Sequence, residues 1–105
     1  MINEQNKQLL GAWVTDPDDQ SSTKTFGRVR MVFEPNGKLT YIVIGNGTDQ
    51  VMLLSYRVDG DELVTNQESA PREDRSHFVF MPDGKLMLLY DGVPSVYVRE
   101  RESLR

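Results

Sequence analysis

Evenly spaced tight turns are the feature that most constrains this chain. The segments FEPNGKL, YRVDGDEL and FMPDGKL begin at Phe33, Tyr56 and Phe80, 23 and 24 residues apart, and YDGVP begins at Tyr90. In the first three, an aromatic residue precedes a Gly-centred turn and a leucine opens the next run. The runs between turns are short and rich in Val, Leu, Tyr, Phe and Met, which is strand behaviour. Eight strands are expected, over about 11–16, 27–34, 38–45, 50–58, 62–67, 74–81, 85–91 and 93–100. A short helical turn is expected at 3–10. Similar turns joined by unlike strands indicate a meander and not a solenoid.

Turn chemistry then sets which side chains share a face. Where Pro precedes Asn-Gly or Asp-Gly, Pro presets a type I turn and Gly takes the left-handed position of a bulge, giving a three-residue loop. The expected pairs are Phe33 with Leu39, Met31 with Tyr41, Val29 with Val43, Phe80 with Leu86 and Phe78 with Leu88. A two-residue Asp59-Gly60 loop would pair Tyr56 with Leu63, Leu54 with Thr65 and Arg57 with Glu62. A two-residue Asp91-Gly92 loop pairs Leu88 with Ser95 and Leu86 with Tyr97. One face therefore collects Val29, Met31, Phe33, Leu39, Tyr41, Val43, Met52, Leu54, Tyr56 and Leu63. Phe78, Phe80, Leu86, Leu88, Tyr90 and Tyr97 join it from the later strands. An open sheet with such a face would expose two long edges and a broad apolar surface. Closure removes both, so the expected fold is all-β, a single-domain eight-stranded antiparallel up-and-down barrel over residues 1–105.

Composition narrows function mostly by exclusion. The chain has no cysteine, so disulfides, thiolate metal sites and thiol chemistry are out, and a reducing cytoplasm suits it. MINEQNKQLL lacks the basic start and apolar core of a signal peptide, and no apolar run approaches a membrane span. A cytoplasmic location is the expectation, although a processed secreted form would have the same sequence. Net charge is −4, with both signs scattered, so neither nucleic acid nor a membrane is expected as a partner. Asn46-Gly47-Thr48 fits a glycosylation sequon, but Asn-Gly between apolar runs reads better as a turn.

The segment Leu9-Leu10-Gly11-Ala12-Trp13 carries the chain's single tryptophan. A short N-terminal helical turn, G-x-W on the first strand, hairpin-linked strands and Arg99 in VYVRE of the last strand together resemble the calycin superfamily. Its members include lipocalins, fatty-acid-binding proteins and small bacterial lipocalin-like domains. The resemblance covers essentially the whole chain, although no motif from the family's central or later conserved regions is present. It implies that Trp13 closes one end of the barrel, with Gly11 beside it and Arg99 across its ring. It also implies that residues 15–27, TDPDDQSSTKTFG, form a loop folding over the open end as a lid.

All four tyrosines, Tyr41, Tyr56, Tyr90 and Tyr97, fall on the expected inner face with Thr65, Ser76 and Ser95. They are the candidate ligand-binding residues: apolar walls with a few hydroxyls orient small ligands. An eight-stranded interior can equally be filled by its own side chains. His77 is the lone histidine and points outward, so no metal site is expected from it. Asp16, Asp18 and Asp19 lack the spacing of a calcium loop and read as a solvated acidic loop. Glu62, Glu68, Glu73 and Asp74 read mostly as turn or outer-face residues. Arg28 and Arg30 point outward as ordinary surface charge. No catalytic constellation, nucleotide fingerprint or cofactor motif appears, so no enzyme activity and no cofactor are expected.

A second signal lies outside the barrel. Val32, Ile42, Ile44, Val51, Leu53 and Val64 face outward on strands two to five; Val79, Met87, Leu89, Val96 and Val98 do so on six to eight. Contiguous outer apolar patches mark partner surfaces, and a homodimer is the expectation here, unless the N-terminal segment covers one patch. The favoured reading is a non-enzymatic lipocalin-like protein binding a small, partly apolar ligand in the barrel mouth. The alternative is a solid-core interaction module acting through its outer surface.

Overall fold

The structure is a computed structural model that describes residues 4–45, 47–67, 69 and 72–100, with side chains omitted at 4–6, 22, 25 and 26. Asn46 of the sequon-like turn and Glu68 lie outside the described residues, as does residue 3 of the expected helical turn. In chain order the elements are α1 (Glu4–Leu9), β1 (Gly11–Thr15), α2 (Gln20–Phe26), β2 (Arg28–Phe33) and β3 (Lys38–Ile44). They continue as β4 (Gln50–Asp59), β5 (Glu62–Gln67), β6 (Glu73–Phe80), β7 (Leu86–Tyr90) and β8 (Val93–Arg99). The eight strands close into an antiparallel up-and-down barrel in sequence order, β8 returning to β1 through Trp13–Arg99, Val14–Val98 and Thr15–Tyr97.

Two hairpins use one loop design, as their Pro-Asn/Asp-Gly sequences require. In each, Gly takes a positive φ (+85° at Gly37, +89° at Gly84) and its N–H returns to the carbonyl of Glu34 or Met81. The Asn36 and Asp83 side chains accept from the N–H of Lys38 and Lys85. Phe33 consequently pairs with Leu39 and Phe80 with Leu86, as expected. The β7–β8 turn has both central residues left-handed, Asp91 at +53° and Gly92 at +80°, the type I′ requirement. It pairs Leu88 with Ser95 and Leu86 with Tyr97.

The β4–β5 hairpin departs from expectation. Its loop is Gly60-Asp61, closed by Asp59 and Glu62, with Gly60 at φ +64° in the first central position, where a II′ turn takes glycine. Tyr56 therefore pairs with Thr65 and Leu54 with Gln67, two residues from the expected register. A slip of two preserves every side chain's face, whereas a slip of one would invert them all. It does change partners. Arg57 stands opposite Val64 and reaches Glu73 at 3.8 Å, while Glu62 binds Arg75 at 2.7 Å.

Segment 16–27 also differs from the expected loop: it contains α2. Asp19 sits at the position before the helix, and the Thr23 N–H bonds its carbonyl at 3.2 Å. Gly27 ends the helix with φ +76°, its N–H on the Thr23 carbonyl at 2.9 Å, a common glycine helix stop. The segment is stitched to β8: the Asp16 N–H donates to the Val96 carbonyl, and Asp19 Oδ2 accepts from the Val96 N–H, each at 2.9 Å. Asp16 is buried, with its carboxylate 2.9 Å from Lys85 Nζ and accepting from the Asp18 N–H at 3.0 Å. It is a clamp, not part of a solvated acidic loop. The Lys85 hydrogen bond is the main cause holding the Asp16 carboxyl below its ordinary value.

Because the topology is up-and-down, α1 shares one barrel end with the β2–β3, β4–β5 and β6–β7 turns. Segment 16–27 and the other three connections mark the opposite end. These ends are built very differently.

Candidate functional site

The α1 end is sealed. Trp13 is 1 % exposed, and its indole N–H donates to the Leu9 carbonyl at 2.9 Å. The Arg99 guanidinium carbon lies 4.2 Å from the Trp13 ring centroid, inside the range of a cation–π contact. The same guanidinium donates to the carbonyls of Leu10 at 2.6 Å and Gln8 at 2.5 Å, serving groups that the end of α1 leaves without helical partners. Gly11 is held at φ +108°, and a Cβ built there would stand 3.0 Å from Arg99 Nη1. Both the backbone angle and the close approach call for glycine. Phe80 packs on Trp13 with centroids 6.3 Å apart, and Phe78 meets Phe80 edge-on at 5.7 Å. Leu9 and Leu86 are fully buried in the same cluster.

The other end is hollow. A cavity of about 290 Å³ opens there, near the lower limit for small-molecule sites. Its apolar walls are Met31, Leu39, Met52, Leu54, Leu63 and Leu88. The hydroxyl-bearing residues Tyr41, Thr65, Ser76, Ser95 and Tyr97 line it as well, and Gln67, Arg72, Asp74 and Tyr90 contribute toward the rim. No described side chain of segment 16–27 lines the cavity, so the expected lid role for that segment does not hold for those residues. The segment instead takes over hydrogen bonding along β8 where the short β1 has ended.

The four candidate tyrosines separate. Tyr41 and Tyr97 line the cavity. Burial pushes the Tyr41 phenol above its ordinary value; burial and then the neighbouring Tyr41 do the same to Tyr97. Both remain neutral donors through the physiological range. Tyr90 lines the rim, 39 % exposed, with its hydroxyl 3.3 Å from Asp74 Oδ1. Tyr56 does not line the mouth cavity. It packs edge-on against Phe33 at 5.0 Å and donates to the Glu34 carbonyl at 2.8 Å, which places it at the closed end. Alternation along a strand assigns inside or outside, but the height of a side chain depends on strand tilt and stagger.

Three rim residues, Gln67, Arg72 and Asp74, were not anticipated. Asp74 shares strand parity with Ser76 and Phe78 and points inward, so alternation alone identifies it. Arg72 reaches the rim from the β5–β6 connection, outside any strand pattern, and its Nε stands 3.5 Å from Asp74 Oδ1. The outward His77 has its carboxylate neighbours on the outer surface, Asp61 at 3.7 Å and Glu62 at 3.8 Å. Among the described residues, no group of three or more His, Cys, Asp and Glu could hold a metal ion.

The outer surface is mixed. Leu53 is 68 % and Val51 58 % exposed on β4, beside half-buried Ile42 on β3. Val79 and Leu89 are also exposed. Val64, expected in the outer patch, is instead 2 % exposed. Its cross-strand neighbours are Arg57 and Arg75, whose long aliphatic stems can roof an outward valine.

These features define an eight-stranded antiparallel barrel with one sealed and one hollow end, compatible with a calycin-like fold. The chain matches no protein-family model, no curated protein and no solved structure with which it was compared.

Proposed function

We propose that this chain is a non-enzymatic, lipocalin-like binding protein that holds a small, partly apolar molecule in the barrel mouth. The observation that carries this reading is the cavity of about 290 Å³, walled by aliphatic side chains and studded with hydroxyls. A barrel serving only as a scaffold would gain stability by filling that space, since unfilled volume costs packing energy. Tyr41, Tyr97 and Tyr90 are the tyrosines offered to a ligand. Gly11, Trp13 and Arg99 serve closure. Native mass spectrometry of the gently purified protein, with binding of an uncharged environment-sensitive dye, tests the reading. The expected result is a bound adduct or a dye signal that Met52→Trp abolishes by filling the mouth. A bare mass, with no dye bound by the wild-type protein, would overturn it.

A second reading is favoured by Leu53 and Val51, two of the most exposed large apolar residues described, adjacent across the β3–β4 surface from Thr40 and Ile42. On that reading β4 contributes a homodimer contact, independently of the mouth. Light scattering at micromolar concentration should then report a dimer that Leu53→Lys dissociates; a monomeric wild-type protein would contradict it.

A further inference from the structure

The polar groups in the mouth also say what head group it suits. Deep in the cavity they are hydroxyls, which can hydrogen-bond a ligand but cannot balance a charge. Among the described lining residues only Arg72 and Asp74 are charged, and they form an ion pair at 3.5 Å at the exposed rim. A carboxylate or ammonium carried into the apolar interior would lose water and meet no counter-ion, which is strongly unfavourable. A neutral polar head meets no such penalty.

The donors are arranged for an acceptor. The Tyr41 hydroxyl makes no hydrogen bond to another described residue. Tyr97 has the 5 % exposed Ser95 beside it, and a phenol whose oxygen accepts from such a neighbour still has its proton to give to a ligand. The two tyrosines line the same cavity. A carbonyl oxygen has two lone pairs and can accept from both. Met52, paired with Tyr41 across β3 and β4, together with Leu54 and Leu63 offers a surface for hydrocarbon. The volume corresponds to about ten water molecules of liquid, enough for a ligand of roughly ten to fifteen non-hydrogen atoms.

We propose that the mouth selects an uncharged, carbonyl-bearing amphiphile of that size, with its oxygen accepting from the Tyr41 and Tyr97 hydroxyls and its hydrocarbon part on Met52, Leu54 and Leu63. The proposal rests on the ligand-binding reading given above. It assigns both the chemical class of ligand and the orientation of its head.

Three nine-carbon probes separate the terms by calorimetry at pH 7.5: 2-nonanone, nonanoate and 1-nonene. The ketone should bind at least about tenfold more tightly than the carboxylate, because only the latter must desolvate a charge. Tyr41→Phe and Tyr97→Phe, which keep the rings, should each weaken the ketone by about three- to tenfold, the net worth of one hydrogen bond. Neither should change the affinity for nonene. Nonanoate binding as tightly as the ketone, lost in Arg72→Gln, would overturn the proposal and favour a rim-bound anion while leaving the cavity reading intact. Equal binding of ketone and nonene would remove the role of the phenols. If none of the three binds, the cavity reading fails together with the proposal. The discrimination among probes is read on the wild-type protein, so it survives a poorly folding variant.

Discussion

The two ends of the barrel are made from the same strands and solve opposite problems. At the α1 end, Trp13, Phe80, Phe78, Leu9 and Leu86 fill the interior, and Arg99 ties the indole to the helix carbonyls. At the mouth the inward positions carry Met, Leu, Tyr, Ser and Thr, and the side chains leave about 290 Å³ between them. The strands pass through both ends, so side-chain size and chemistry must create the difference. Large aromatic rings concentrate where the barrel closes; flexible aliphatics and hydroxyls line the part that stays open. The closed end supplies stability that the open end gives up.

Substitutions can break that contrast in order of expected effect. Trp13→Ala should cost about 3–5 kcal/mol, the range for truncating a large buried aromatic, measured by urea unfolding. A loss under 1 kcal/mol would mean that the base is not the stabilising end. Gly11→Ala should cost about 1–3 kcal/mol, since a side chain would be strained at φ +108° and would crowd Arg99. Arg99→Gln should cost about 1–2 kcal/mol through the lost ring contact and carbonyl hydrogen bonds. At the mouth, Met52→Trp should change stability by less than about 1.5 kcal/mol while abolishing ligand binding. Thermal melts and dye titration together check that separation.

The smallest expected effects appear in the pH dependence of melting. The folded value of Asp16 is depressed, chiefly by its hydrogen bond with Lys85. Its contribution is therefore complete above the ordinary 3.8 and lost as pH falls through the lowered value. Asp16→Asn should flatten the acid limb of the melting profile. Tyr97 has the reverse sign. Burial raises its folded value, so the neutral phenol's contribution is complete below 10.0 and lost as pH climbs toward the raised value. Tyr97→Phe should flatten the alkaline limb, and an unchanged limb would show that the phenol is wetter than its surroundings indicate.

The same contrast explains what could be read from the amino acids. Turn chemistry specified the strands and three hairpin registers because Pro-Asn-Gly, Pro-Asp-Gly and Asp-Gly each constrain backbone angles locally. At Asp59-Gly60-Asp61 two adjacent two-residue loops were open to the chain, and glycine took the first central position. The resulting shift of two kept each residue's face but changed its partner. Alternation likewise placed Tyr41, Tyr56, Tyr90 and Tyr97 inside without giving their heights, so Tyr56 was expected in the mouth and lies at the base. Asp74 could have been recognised from the parity of Ser76. Arg72 could not, because it lies in a connection where no period applies. Asp19 before QSSTKTF and Gly27 after it were the cues to α2, an Asp N-cap and a glycine stop. Two prolonged features escaped alternation altogether: the burial of Val64 beneath neighbouring arginines and the Asp16–Lys85 clamp depend on contacts across strands.

The central claim, a sealed base and a ligand-accepting mouth, is tested most directly by an amide NMR titration with 2-nonanone. The account predicts saturating shifts at Tyr41, Met52, Thr65 and Ser95, with Trp13, Phe33 and Phe80 unmoved. Shifts confined to Ile42, Val51 and Leu53 on the outer surface, or no saturable shift anywhere, would contradict it.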